Sequence, residues 1–242
     1  MKERWASLIS GGGTTMEAMA KAVLTGEVQV EIACIISSNP QAGGLEKARK
    51  LGIPEENIIV INPHDFKEGD GKIVQERFGQ ALLSALKDHG VTVVTQNGWL
   101  PLTPELAIAG YPQRLFNQHP GPVPEFGGKG MYGRRVHAAV LLYRRLTGRD
   151  FWTEVIAQRV DKDYDRGAVV KRERVEIRPS DTVEDLQQRA LPVEHRVQVD
   201  LLKDIAKGSL EEVTSREVLV RPGEEQVLFL AKKTAILLYP QG

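Results

Sequence analysis

The sequence predicts an α/β fold: a doubly wound, mostly parallel sheet flanked by helices. Three observations predict it. Short β-rich apolar runs recur at residues 5–9, 32–37, 58–61, 91–95 and 115–116. Segments with helical periodicity, residues 16–24, 45–51 and 73–86, fall between most of them, and strand alternating with helix implies parallel pairing through right-handed crossovers. A glycine string directly after the first run opens the first helix, as a β–α turn requires.

That string is Ser10-Gly11-Gly12-Gly13-Thr14-Thr15-Met16. Its glycines let backbone amides approach a ligand, and a helix N-terminus adds partial positive charge, so a phosphate would be stabilised here. It lacks the G-x-G-x-x-G spacing of a dinucleotide fold and the lysine of a P-loop, which points to a small phosphorylated ligand. The plain alternative is a tight turn with a threonine cap. The turns Ser37-Ser38-Asn39-Pro40 and Asn62-Pro63-His64 end two further strands. After the fourth run, Gly98-Trp99-Leu100-Pro101-Leu102-Thr103-Pro104 reads as a stiff apolar lip with an exposed tryptophan, suited to a flat heteroaromatic ring or to a packed connection.

The fifth run continues as Leu115-Phe116-Asn117-Gln118-His119-Pro120-Gly121-Pro122. In extended backbone, side chains two apart share a face, so Asn117 and His119 point the same way at a carboxyl end, where such sheets bind ligands. An amide can hold a developing oxyanion while an imidazole moves a proton at the same centre. A core Asn and His tying a loop is the bland counterpart. Glycine at four of the ten places 124–133 makes a loop that fits closely over something, or a flap, ahead of a helix at 136–146 that takes up His137 in packing. Strands follow at 151–160 and 168–175, joined by Asp161-Lys162-Asp163-Tyr164-Asp165-Arg166-Gly167. This is a solvated acidic turn unless a carboxylate returns to His119, where it would orient the ring and favour the imidazolium. The helical region 183–207 contains Pro192, and a kink there would turn Glu194 out of the regular face.

Residues 211–242 hold strand-like runs at 217–220, 226–230 and 235–238 around Arg221-Pro222-Gly223. The expected organisation is therefore a catalytic domain over 1–210 with a short C-terminal β extension, 211–242, packed on it, since about 30 residues bury too little alone.

Composition narrows the function. Thirty-two basic and 32 acidic residues cancel, which gives no footprint for nucleic acid or anionic membrane. No apolar run reaches the roughly 18 residues of a membrane helix and residues 1–5 lack a signal-peptide core, so a cytoplasmic protein is expected. Cys34, the single cysteine, lies within an apolar run as a small buried residue. The five histidines, at 64, 89, 119, 137 and 195, show no paired ligand spacing, so no metal is expected.

The ordered set Ile9–Thr15, Gly98-Trp99-Leu100, Asn117-Gln118-His119-Pro120, Phe126-Gly127-Gly128-Lys129-Gly130-Met131-Tyr132-Gly133, Tyr164-Asp165-Arg166-Gly167 and Pro192-Val193-Glu194-His195 resembles the folate-dependent formyltransferases across roughly residues 4–210. The resemblance implies a Rossmann-like formyltransferase fold. It implies transfer of a formyl group from 10-formyltetrahydrofolate to the amine of glycinamide ribonucleotide, by a monomer or homodimer without metal. By that likeness Asn117, His119 and Asp165 are catalytic. Gly13, Thr14, Thr15, Leu191, Pro192, Val193 and Glu194 hold the ribonucleotide. Leu100, Pro101, Leu102, Thr103, Asn117, Asp161, Lys162, Asp163, Tyr164 and Asp165 hold the folate, and Lys67 or Lys72 supplies a basic residue. The chain departs from the family pattern at Gly121, where serine is usual, and at Glu154, Ile156 and Gln158, in place of Gly-x-Thr-x-His. A formyltetrahydrofolate hydrolase, formyl transfer to an amino sugar nucleotide and a non-catalytic folate- or nucleotide-binding module stand as alternatives.

Overall fold

The structure is a computed structural model that describes residues 2–69, 71–149, 152–215, 217 and 219–242. Its chain divides into two compact units, Met1–Gln118 with Gln198–Leu210, and His119–Val197 with Glu211–Gly242.

The first unit carries five parallel strands. They are β1 (Arg4–Ile9), β2 (Glu31–Ser37), β3 (Ile58–Val60), β4 (Val93–Gln96) and β5 (Leu115–His119), the last ending one residue past the unit's boundary. The order β3-β2-β1-β4-β5 and the pairings of β1 with β2, β1 with β4, β2 with β3 and β4 with β5, all parallel, realise the doubly wound expectation. The helices between them are α1 (Thr14–Leu24), α2 (Gly43–Lys50), α3 (Gln75–Asp88) and α4 (Glu105–Gly110). The winding reverses between β1 and β4, and sheets of this kind bind ligands at that switch point. The inner strands β1, β2 and β4 are largely buried, with Trp5, Leu8, Ile9, Ile35, Ile36, Val93 and Val94 inaccessible, which is why they read as apolar runs, whereas the edge strand β3 is half-buried to exposed. Gly13 and Gly44 meet where α1 approaches α2. A Cβ on Gly13 would lie 2.7 Å from the Gly44 Cα, and Gly13 has φ +63°, so only glycine fits.

The second unit contains α5 (Arg134–Thr147), the antiparallel pair β6 (Thr153–Arg159) and β7 (Val169–Val175), the first part of α6 (Val183–Lys207), and α7 (Glu225–Leu238). Phe151, the first residue of the strand expected at 151–160, lies outside the described residues, as does Val218 of the run at 217–220. The β6–β7 turn closes on glycine, because a Cβ at Gly167 would meet the Arg159 carbonyl.

The C-terminal β extension is corrected. The runs 226–230 and 235–238 belong to one helix, α7, and residues 211–242 group with 119–197. Short apolar runs do not distinguish strand from helix, and here the intervening Ala231, buried with Ala235 one turn on, completes a helical stripe of small residues. Tyr143 and Arg149 fix its start by hydrogen bonding to Glu224, the latter at 2.5 Å. Pro192 lies inside an uninterrupted α6, so the helix continues past the expected breaking point.

Candidate active site

In the first unit the two loops at the switch point are stitched together. The Ser10 hydroxyl accepts from the Leu100 amide at 2.9 Å and pairs with Ser38 Oγ at 2.6 Å, joining the glycine loop, the β2 end and the apolar lip. Gly11 and Gly12 are exposed, and a Cβ on either would meet nothing within 4 Å. The α1 N-cap is Gly13, with no side-chain cap hydrogen bond, so the alternative of a threonine-capped turn is not realised. The loop is therefore held from behind and open in front. Leu100 and Leu102 are 53% and 39% exposed, whereas Thr103 is buried and accepts from Gln96 Nε2 at 2.5 Å. Trp99 departs from expectation. It is buried and stacks on Phe78, centroids 6.2 Å apart, so the leucines form the lip.

A buried amide that the sequence reading left unassigned fixes β5. Asn97 Oδ1 accepts from Ser7 (2.8 Å) and Thr95 (2.7 Å), while its Nδ2 donates to Gln118 Oε1 at 3.3 Å. With Gln118 held on that face, strand alternation directs its neighbours Asn117 and His119 to the other.

In the second unit His119 and Asp165 come together. His119 Nδ1 lies 3.5 Å from Asp165 Oδ1, with both side chains at most 7% exposed. The other ring nitrogen, Nε2, donates to the Phe126 carbonyl at 3.2 Å. Asp165 is itself held twice: Gln158 Nε2 donates to Oδ1 at 2.7 Å, and the Gly128 amide donates to Oδ2 at 2.9 Å. Its backbone takes φ +55°, an uncommon conformation for a residue with a side chain. Burial holds the His119 pKa below the ordinary imidazole value, opposed by the Asp165 carboxylate and the Phe126 carbonyl and reinforced by the Lys232 cation. The sequence-based expectation of a raised value is thus corrected: Asp165 acts in that direction, and desolvation outweighs it. Both nitrogens nevertheless face acceptors, so a proton arriving on the ring finds a partner on each side.

The other predicted residues divide by exposure. Asp161, Lys162, Asp163 and Tyr164 are exposed, as a solvated turn requires. Glu194 is buried on α6 beside half-buried Leu191 and Val193 and exposed Pro192. Lys67 and Lys72 are both exposed, and geometry does not choose between them. Cys34 is buried, its thiol pushed up to about 12 by desolvation. Among the described residues no group of His, Cys, Asp and Glu could hold a metal ion, and no helix is long and apolar enough to cross a membrane.

A sequence model of the family described as Formyl transferase matches residues 3–202. The chain belongs to the formyl transferase family. The chloroplastic phosphoribosylglycinamide formyltransferase of Arabidopsis thaliana is 31% identical over 210 residues, 87% of this chain and 68% of that protein. Against the Vigna unguiculata protein of the same name, identity is 29% and this formyl transferase spans 62% of that relative's length. Among solved structures, a phosphoribosylglycinamide formyltransferase from Brucella melitensis superimposes with TM-score 0.72 and 28% identity, covering 88% of this chain and all (100%) of that one.

The departures of this formyl transferase from the family pattern have local reasons. At Gly121 a Cβ would lie 2.4 Å from Val136 Cγ1, so a serine is excluded by the valine packed there. Gln158 donates an amide hydrogen to Asp165, replacing a ring with a neutral donor. Glu154, fully buried on β6, has Arg172 Nη1 at 3.5 Å from the neighbouring strand. The sequence reading missed the Phe126 carbonyl and the Gly128 amide because backbone groups leave no residue-type signal.

Proposed function

We propose that this formyl transferase moves a formyl group from 10-formyltetrahydrofolate to the amine of glycinamide ribonucleotide, as a cytoplasmic monomer or homodimer. The observation that carries the reading is the buried His119–Asp165 pair at 3.5 Å, two residues beyond Asn117. The donor brings an activated formyl carbon. In the first unit the exposed Leu100 and Leu102 suit its flat ring; in the second, the turn Asp161–Asp165 offers polar groups. In the first unit the open space at Gly11 and Gly12 and the uncapped start of α1 suit a phosphate; in the second, Leu191–Glu194 are the further residues that the resemblance assigns to the ribonucleotide.

As the amine nitrogen bonds to the formyl carbon, the carbonyl oxygen becomes an oxyanion, and the Asn117 amide donates to it. A ring kept neutral by burial is ready to take the amine proton, and Asp165 stabilises the imidazolium that results. His119 then returns that proton to the departing folate nitrogen as its bond to carbon breaks. One N–H is thereby exchanged for another, with no oxidant or reductant.

The test is tetrahydrofolate release from 10-formyltetrahydrofolate with and without glycinamide ribonucleotide. Release only in the presence of the amine is expected. Release without it would make the protein a hydrolase, and binding without release would make it a binding module.

A further inference from the structure

The C-terminal helix α7 lies beyond the family match at 3–202, yet it reaches the loop that holds the reacting pair. Lys232 Nζ donates to the carbonyls of Glu125 (3.0 Å) and Gly127 (2.6 Å). These bracket Phe126, whose carbonyl accepts from His119. The Gly127–Gly128 peptide is shared: its oxygen accepts from Lys232 and its N–H donates to Asp165 at 2.9 Å. A cation on the oxygen polarises the N–H toward the carboxylate, as chained hydrogen bonds do. The loop has no slack, for a Cβ on Gly127 would sit 2.5 Å from Asp165 Cβ. The far end of the loop is tied to the same C-terminal segment. Arg135 donates to Gly130 O (2.9 Å), Tyr239 O (2.8 Å) and Pro240 O (2.7 Å), with its guanidinium 4.5 Å from the Tyr132 ring centroid.

We propose that Lys232 is a positioning residue for the His119–Asp165 pair, holding loop 125–128 so that the Phe126 carbonyl and the Gly128 amide keep both side chains aligned. The inference rests on the catalytic reading of that pair. It makes α7 a part of this enzyme's active-site scaffold, added outside the segment it shares with the family. Burial, the nearby Arg166 cation and two carbonyl partners mark this lysine off from its exposed neighbour Lys233: its pKa is held below the usual lysine range, chiefly by desolvation.

Lys232→Met, Lys232→Gln, Lys232→Arg and the control Lys233→Met separate this role from general stability. In the full-length protein without substrate, the ring N–H resonance of ¹⁵N-labelled His119, assigned with His119→Ala, reports the bond to Phe126, and the Gly128 amide resonance reports the bond to Asp165. Lys232→Met is expected to shift both resonances and broaden the ring signal, and to lower kcat roughly thirtyfold with both KM values within about threefold. Lys232→Arg is expected to restore part of kcat, and Lys233→Met to change neither readout. Unchanged resonances in a folded Lys232→Met protein would overturn the proposal, and Lys232→Gln decides in the same way if the methionine variant does not fold. If the wild type shows no formyl transfer, the functional reading fails by itself and the resonances still decide the role of Lys232.

Discussion

The protein has two glycine-rich loops that look alike in sequence and differ in what surrounds them. In residues 10–15, Gly11 and Gly12 border open space, and the loop is fastened only behind, by the Gly44 amide donating to Gly11 O at 3.0 Å and by Ser10. In residues 126–133, Gly127 is pressed against Asp165, and the loop is held by Lys232 and Arg135. In the second loop glycine makes room for a neighbouring side chain; in the first no described residue fills the space, and by the proposed function a ligand does. The first loop is open and the second closed.

The closed loop leads into α5, where His137 is buried with its Nδ1 lacking a hydrogen-bond partner among the described residues. Desolvation, aided by His119, lowers its pKa from 6.5 to about 4. The unfolded chain therefore binds the proton more readily than the folded one. Stability is full above about pH 6.5, falls as pH drops toward 4, and levels below it. At about 1.4 kcal/mol per pH unit the loss is on the order of 3 kcal/mol, more than a hundredfold in the folding constant. Urea unfolding at pH 7, 6, 5 and 4 should show this slope, and His137→Leu should remove about one proton's share of it; an unchanged slope would place the acid sensitivity elsewhere.

Gly127→Ala breaks the closed loop directly. Its methyl group displaces Asp165, and kcat should fall by about a hundredfold, the cost of roughly an ångström of misplacement, with ribonucleotide affinity little changed. Full turnover in this variant would mean that the fit against Asp165 has no bearing on catalysis. Gly11→Ala probes the open loop. With no neighbour to meet, it should leave the melting temperature unchanged, while its methyl group crowds the ligand and raises the ribonucleotide KM roughly tenfold, as when one charge-assisted hydrogen bond is stretched. A lowered melting temperature with unaltered KM would show that the loop is structural after all.

The contrast between the loops also explains what could be read from sequence. The alternation of buried strands and amphipathic helices was legible because parallel strands are apolar throughout, so β1, β2 and β3 stand out as runs. The strand β5 extends past its apolar start to His119, and the placement of Asn117 and His119 followed from spacing alone. The company of Asp165 came from family resemblance, since 45 residues of chain lie between it and His119 and spacing gives no contact across that distance. The open loop was recognisable because it consists of a glycine string and a helix start. The closed loop was recognisable only as tight, because its partners are a carbonyl, an amide and a lysine on a helix that read as strands. Short α4 (Glu105–Gly110) went unread for a related reason: six residues show too little periodicity.

By the proposed function, the His119–Asp165 pair performs the chemistry and the open loop the binding. Asp165→Ala tests this most directly, measured for kcat and, separately, for ribonucleotide affinity in the folded variant. The expected result is a fall in kcat of about 10²–10⁴-fold with affinity within roughly threefold. Unchanged kcat, or affinity lost in proportion to kcat, would contradict it.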